Sequence, residues 1–295
     1  MKKIEKLKLT NLDKVFWPKE KITKGDLIRY YEKISKWILP YLKDRPESLR
    51  RFPNGIGGES FFQKNLKDYP EWIETKRIQH KDKIVNYALI QNKKSLLYAA
   101  NLGCIEIHPF FSRIQSLQKP DYLIFDLDPK GASFEKVVEV AQAIHRFLEE
   151  IGVLSFCKTS GATGLHIAVP LKAKYTYEQA KKFAELVALV VHQRIPKIST
   201  LDRSVSKRKG KVYIDCYQNN FGQTLAAPYC VRARPYATVS TPLKWKEVKK
   251  GLDPKNYTIK NIFTRLKKTG DLYAPVLKKG INIEKAIKKI EKIQK

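Results

Sequence analysis

Leu27, Tyr30, Tyr31, Ile34, Trp37, Ile38 and Tyr41 recur three and four residues apart, the spacing of one apolar helix face, and Thr23 followed by Asp26 supplies its cap. Pro46 lies just beyond the end of that helix. Residues 48–52 then read as a strand, Pro53-Asn54-Gly55 as a turn and Gly57-Gly58-Glu59 as a loop. Strand-like runs follow at 72–78 and 104–108, with a helix over 93–101 between them.

From Tyr122 the pattern becomes an apolar strand, YLIFDLD, then a helix over 133–151 and strands at 153–157 and 165–169. A second long helix, capped by Thr176 with Gln179, runs to about Arg194, and 211–217 reads as another strand. The tail from 283 to 293 is a short amphipathic helix that packs on the body. Helices and strands in this order place the chain among α/β or α+β proteins. No repeat, low-complexity tract or long linker divides it, so one composite domain over 1–295 is expected.

Composition adds a partner. Lys and Arg number 58 against 29 Asp and Glu, a formal charge of +29. Such an excess repels itself unless a polyanion is the usual companion, which points to nucleic acid ahead of a merely solvated lysine-rich surface. The opening MKKIEKLKLT builds no signal-peptide run and nothing approaches a membrane span, so a cytoplasmic, nucleoid-associated protein with no membrane partner is expected. Cys104, Cys157, Cys216 and Cys230 form no CxxC pair and read as free thiols, with a Cys216–Cys230 bridge as the alternative.

The chemistry lies in a few acids and one small-residue loop. Asp126 and Asp128 flank Leu127 at the end of an apolar strand, so both carboxylates share a face, as a metal clamp requires; the alternative is a pair capping the helix that follows. Asp215, in the strand KVYIDCY, is poorly explained by burial and reads as a third ligand, or as the partner of a lysine. Two divalent ions bridged by carboxylates from separate strands need such a set. The loop SGATG (160–164) before the strand that carries His166 offers backbone N–H groups to a triphosphate, though a plain turn has the same composition. Arg232 and Arg234, two apart, would share a strand face and grip phosphates.

The ordered motifs IFDLDP, SGATGLHI, VYIDCYQN and APYCVRARP resemble the polymerase domain of bacterial ligase D, in the archaeo-eukaryotic primase superfamily of DNA end joining. LTNLDKVFWP, ITKGDL, RRFPNG and FFQKN extend the resemblance over essentially the whole chain. It implies an α+β primase-polymerase fold: an RRM-like catalytic sheet (121–250) packed with an N-terminal α/β portion that binds DNA ends and template (1–120), then C-terminal helices (251–295). It implies that Asp126, Asp128 and Asp215 carry two divalent manganese or magnesium ions. Ser160, Gly161, His166, Arg232 and Arg234 would hold the nucleotide's phosphates, with His108 approaching the same site. Lys14 and Lys24 match lysines that recognise a 5′-phosphate. Phe61 and Phe62 match aromatics that stack on template bases, and Arg51 and Lys64 join them in the DNA-binding set. Thr163 stands where many relatives carry a basic residue, and Ala233 and Tyr236 replace a commoner Pro and Gly.

The expected function is a DNA-directed polymerase that extends ends or fills gaps with ribo- or deoxynucleoside triphosphates by two-metal phosphoryl transfer. No KxDG motif occurs, so the expectation is a stand-alone polymerase meeting a separate DNA ligase and a Ku-type end-binding protein. A non-catalytic end-bridging protein and a phosphatase of the DxD type are the competing classes.

Overall fold

A computed structural model describes residues 7–294; the first six residues of the N-terminal reading, and Lys295, lie outside the described residues. A ribbon of β1 (Val15–Trp17) and β2 (Ile22–Thr23) leads into α1 (Lys24–Leu42), where Thr23 and Asp26 form the expected capping box. Helix α1 carries Pro40 inside it and buries the expected stripe, except Trp37, which is partly exposed. Its tyrosines finish in bonds that tie distant chain together: Tyr30 donates to the Tyr229 carbonyl, Tyr31 to that of Ile105, and Tyr41 to the Asp271 carboxylate.

The N-terminal sheet has five strands, β3 (Pro46–Arg51), β4 (Phe61–Gln63), β5 (Thr75–Gln79), β6 (Ile84–Leu89) and β7 (Cys104–Pro109), with α2 (Lys93–Asn101) between the last two. Strand β3 is its hub, pairing with β7 on one side and with β4 and β6 on the other.

The second sheet contains β8 (Tyr122–Asp128), β9 (Phe156–Thr159), β10 (Leu165–Pro170), β11 (Ser199–Thr200), β12 (Val212–Asp215) and β13 (Pro242–Leu243), in the order β11-β12-β8-β10-β9-β13. Helices α3 (Phe134–Glu150), α4 (Tyr177–Arg194) and α7 (Ile283–Gln294) cover one face, after the short α5 (Ile262–Thr269) and α6 (Pro275–Lys278). Strand alternation decides what each face carries. Leu123, Phe125 and Leu127 pack under the helices, whereas Tyr122 and Ile124 face the core shared with α1 and the N-terminal sheet. Asp126 and Asp128 continue that second face, so the acids end up on the side turned away from the helices.

Antiparallel sheets and helices together make the fold α+β. The strands expected at 72–78, 153–157 and 211–217 are shifted or shorter, and β4 and β6 were not foreseen. No helix among the described residues is long and apolar enough to cross a membrane. All four cysteines are free and buried, so Cys216 and Cys230 are not bridged.

Candidate active site

Register assembles the centre. In β8, Asp126 lies directly opposite His166 of β10 on one side and Asp215 of β12 on the other, and Lys158 of β9 lies opposite His166. Directly opposed side chains stand about 5 Å apart on one face, so four ionisable groups form a line across four strands. His166 Nε2 is 3.3 Å from Asp126 Oδ1, and its Nδ1 is 2.7 Å from the Lys158 ammonium. Burial and the neighbouring lysine push the imidazole down to about 4, and burial with Arg232 draws Lys158 down to about 7. Asp215 accepts from the Tyr217 backbone N–H (2.7 Å), from Gln218 (3.3 Å) and from the Tyr213 hydroxyl (3.3 Å). Even so, burial and then the charge of Asp126 raise its carboxyl above the usual value.

Asp128 stands one strand repeat further along the same face. Its carboxylate is drawn away by Arg208, 2.6 Å distant, and accepts from the Lys130 backbone N–H at 3.2 Å. Helix α3 is capped by Ser133, so the acid pair is not its cap. Among the described residues no three acidic, histidine or cysteine side chains converge as a ready metal cage. The arrangement explains why: Asp126 and Asp215 face each other, and the third carboxylate is held in an ion pair. The donors still fit a hard divalent cation, being oxygens on a shared face, and a bound cation would favour the charged form of Asp215 that burial, and then Asp126, disfavour.

Beside this row lies the SGATG loop. Gly161 has φ +72, and a Cβ there would stand 2.6 Å from Arg232 Cγ and 2.9 Å from the Ser240 nitrogen; one on Gly164 would meet the Leu127 carbonyl at 2.1 Å. Only glycine fits either place. The Ser160 hydroxyl accepts from the backbone N–H groups of Ala162 (3.1 Å) and Gly164 (3.0 Å), so two amides expected to cradle a triphosphate are engaged within the loop. Thr163 is exposed at its tip.

The two arginines part company. The segment after Val231 makes a single bridge to Val239 and then a 3-10 turn, so Arg232 and Arg234 share no strand face. Arg232 turns inward, donating to the Ser160 carbonyl, with its Nε 3.3 Å from Glu106 Oε1. Arg234 is exposed and lines a cavity of about 850 Å³ with Asp128, Lys130, Phe134 and Thr163.

Glu106 joins the two sheets. It receives Arg232, the Ala233 backbone N–H (3.0 Å), His108 (3.0 Å) and Arg50 (3.5 Å). Against burial, which would raise it, the His108 bond and the Arg232 charge hold its carboxyl well below the usual range. The His108 ring is met edge-on by Phe62, with centroids 5.5 Å apart.

Phe61 and Phe62 are both about half exposed, but strand alternation sends them to opposite faces. Phe62 pairs with Arg50 beside His108, while Phe61 pairs with Arg51, whose guanidinium lies 5.2 Å from its ring. Arg51 also donates to the Leu102 carbonyl (2.9 Å) and to Gln63 (3.1 Å), and Lys64 is exposed at the strand's end. Lys14 and Lys24 form a separate cationic pair at the start of α1, donating to Asn54 (2.6 Å) and to the Thr10 carbonyl (2.7 Å). Burial and then the Lys14 charge lower Lys24.

Glu106, Lys158 and Arg208 escaped the sequence reading. The alternation in CIEIHP, which sets an acid and a histidine on one face of a buried strand, was the available signal for Glu106. A lysine and an arginine among 58 cations carry none.

Comparison with known proteins identifies the family. The family described as LigD, primase-polymerase domain, matches residues 23–273. The bifunctional non-homologous end joining protein LigD of Bacillus subtilis is 35% identical over 90% of this chain and 43% of its own length. The multifunctional LigD of Mycolicibacterium smegmatis is 34% identical over 94% of this chain and 37% of its own. The chain thus spans about two fifths of these curated relatives. Among solved structures, the polymerase domain of Mycobacterium tuberculosis ligase D in complex with DNA superposes with a TM-score of 0.87 at 31% identity, covering 94% of this chain and 99% of that one. With a family model over most of its length and a shared fold, the chain belongs to the LigD primase-polymerase domain family.

Proposed function

We propose that this chain is a template-directed nucleotidyltransferase that extends 3′ ends at DNA breaks and gaps during end joining. The observation that carries the reading is the cross-strand row Asp215–Asp126–His166 lying beside the Ser160 loop and Arg232, on a fold shared with a polymerase domain solved with DNA.

In this reading Ser160, Gly161, His166, Arg232 and Arg234 bind the phosphates of a ribo- or deoxynucleoside triphosphate. His166 offers a neutral N–H donor, and Arg232, braced by Glu106, offers a fixed charge. Asp126, Asp128 and Asp215 would hold divalent magnesium or manganese, which when bound supplies the positive charge that acidifies a 3′-hydroxyl and offsets the departing pyrophosphate. Arg208 must yield Asp128 for that set to complete. Phe62 carries the templating side and His108, edge-on to its ring, approaches the nucleotide site, with Arg51, Phe61 and Lys64 on the template's flank and Lys14 with Lys24 at the 5′-phosphate of a gap. A Ku-type end-binding protein and a DNA ligase activity are the partners this task requires.

The test is primer extension on a gapped, 5′-phosphorylated DNA with manganese, comparing ribo- with deoxynucleotides. Wild-type protein should add nucleotides dictated by the template, and the double variant Asp126→Ala, Asp128→Ala should add none while still binding the DNA. Extension by the double variant would remove the acids from the mechanism, and DNA binding without extension by the wild type would mark an end-bridging protein.

A further inference from the structure

We propose that Lys158 is a positioning residue that fixes His166 as the tautomer carrying its proton on Nε2, so that the ring presents a donor to the anions of the catalytic face.

Lys158 is 3% exposed, and its Nζ has three neighbours: the Ala226 carbonyl at 3.0 Å, Ser240 Oγ at 2.7 Å and His166 Nδ1 at 2.7 Å. The carbonyl can only accept. Ser240 spends its own proton on the Thr159 carbonyl at 2.8 Å, so toward the lysine it too accepts. An ammonium has three protons for three acceptors, which leaves one for Nδ1 and requires the ring proton to sit on Nε2. A neutral amine would spend both its protons on Ala226 and Ser240 and turn its lone pair to the ring. That would put the ring proton on Nδ1 and leave the bare Nε2 3.3 Å from Asp126 Oδ1, acceptor against acceptor. The register of β9, β10 and β8 holds the lysine, histidine and aspartate in line, so the assignment passes through bonds already in place.

Lys158 touches neither nucleotide nor metal in this scheme; it acts through His166. The value of the Nε2 donor to a triphosphate rests on the polymerase reading, but the tautomer does not. The experiment is a long-range nitrogen–proton NMR spectrum of the histidine rings in wild-type protein and Lys158→Met, with His166→Gln to assign the signal. Wild type should show Nε2 protonated and Nδ1 bare. Lys158→Met should show mixed tautomers, and the KM for nucleotide should rise on the order of tenfold, with a smaller change in kcat and unchanged DNA binding. A wild-type ring protonated on Nδ1 overturns the proposal, as does a methionine variant with the same tautomer and the same KM. Should that variant fail to fold, Lys158→Ala is measured in its place with the same two outcomes. If wild type shows the expected tautomer and Lys158→Met a mixture, but the wild type gives no extension, the polymerase reading fails and the positioning role stands.

Discussion

Glu106 is 1% exposed, yet it is surrounded by His108, Arg50 and Arg232, and no neutral residue could satisfy all three. Breaking a buried charged cluster from one side leaves the others uncompensated, at a cost of about 3–5 kcal/mol. Glu106→Gln should therefore lower unfolding free energy by roughly that amount in urea titration, and it should raise the KM for nucleotide through a loosened Arg232. The pH dependence has a fixed sign. A carboxyl held below its ordinary value in the folded state contributes stability that is fully present above its unfolded pKa of about 4.3 and is lost as pH falls below it. Subtracting the variant's melting curve from that of wild type should thus give a difference that is flat at neutral pH and shrinks in acid. A difference that grew in acid would show that Glu106 is protonated in the folded protein.

At the scale of elements, a strand's alternation turns two adjacent phenylalanines into different residues. Phe62 shares its face with His108, and Phe61 lies over Arg51 on the other. Stacking of a base on an aromatic ring contributes about 1–3 kcal/mol, so Phe62→Ala should weaken binding to template DNA by about tenfold or more, and Phe61→Ala by much less. Equal losses in a fluorescence titration would mean that both rings meet the template. The sequence did not disclose this asymmetry, because three residues, Phe61–Gln63, are too short to show a period. Long helices were legible for the opposite reason: α1 and α4 carry capping boxes and several turns of apolar spacing. Asp126 and Asp215 were legible as acids in strands of apolar residues. Their facing register was not, because strand pairing is set by tertiary packing that no local pattern encodes.

For the whole molecule, a charge of +29 makes association with DNA a matter of displaced counterions. Affinity for a gapped duplex should fall on the order of 10³-fold between about 50 and 200 mM salt if some six or more phosphates are neutralised. Fluorescence anisotropy across that range checks it, and a shallow slope would place the excess lysines away from the nucleic acid. The four thiols are all inside, where burial raises Cys157, Cys216 and Cys230 above their ordinary values. Maleimide reagents need an accessible thiolate and find none on the native protein. A single cysteine introduced at Lys64 would therefore take a fluorophore alone, giving a reporter at the end of β4 without first stripping the protein of its own cysteines.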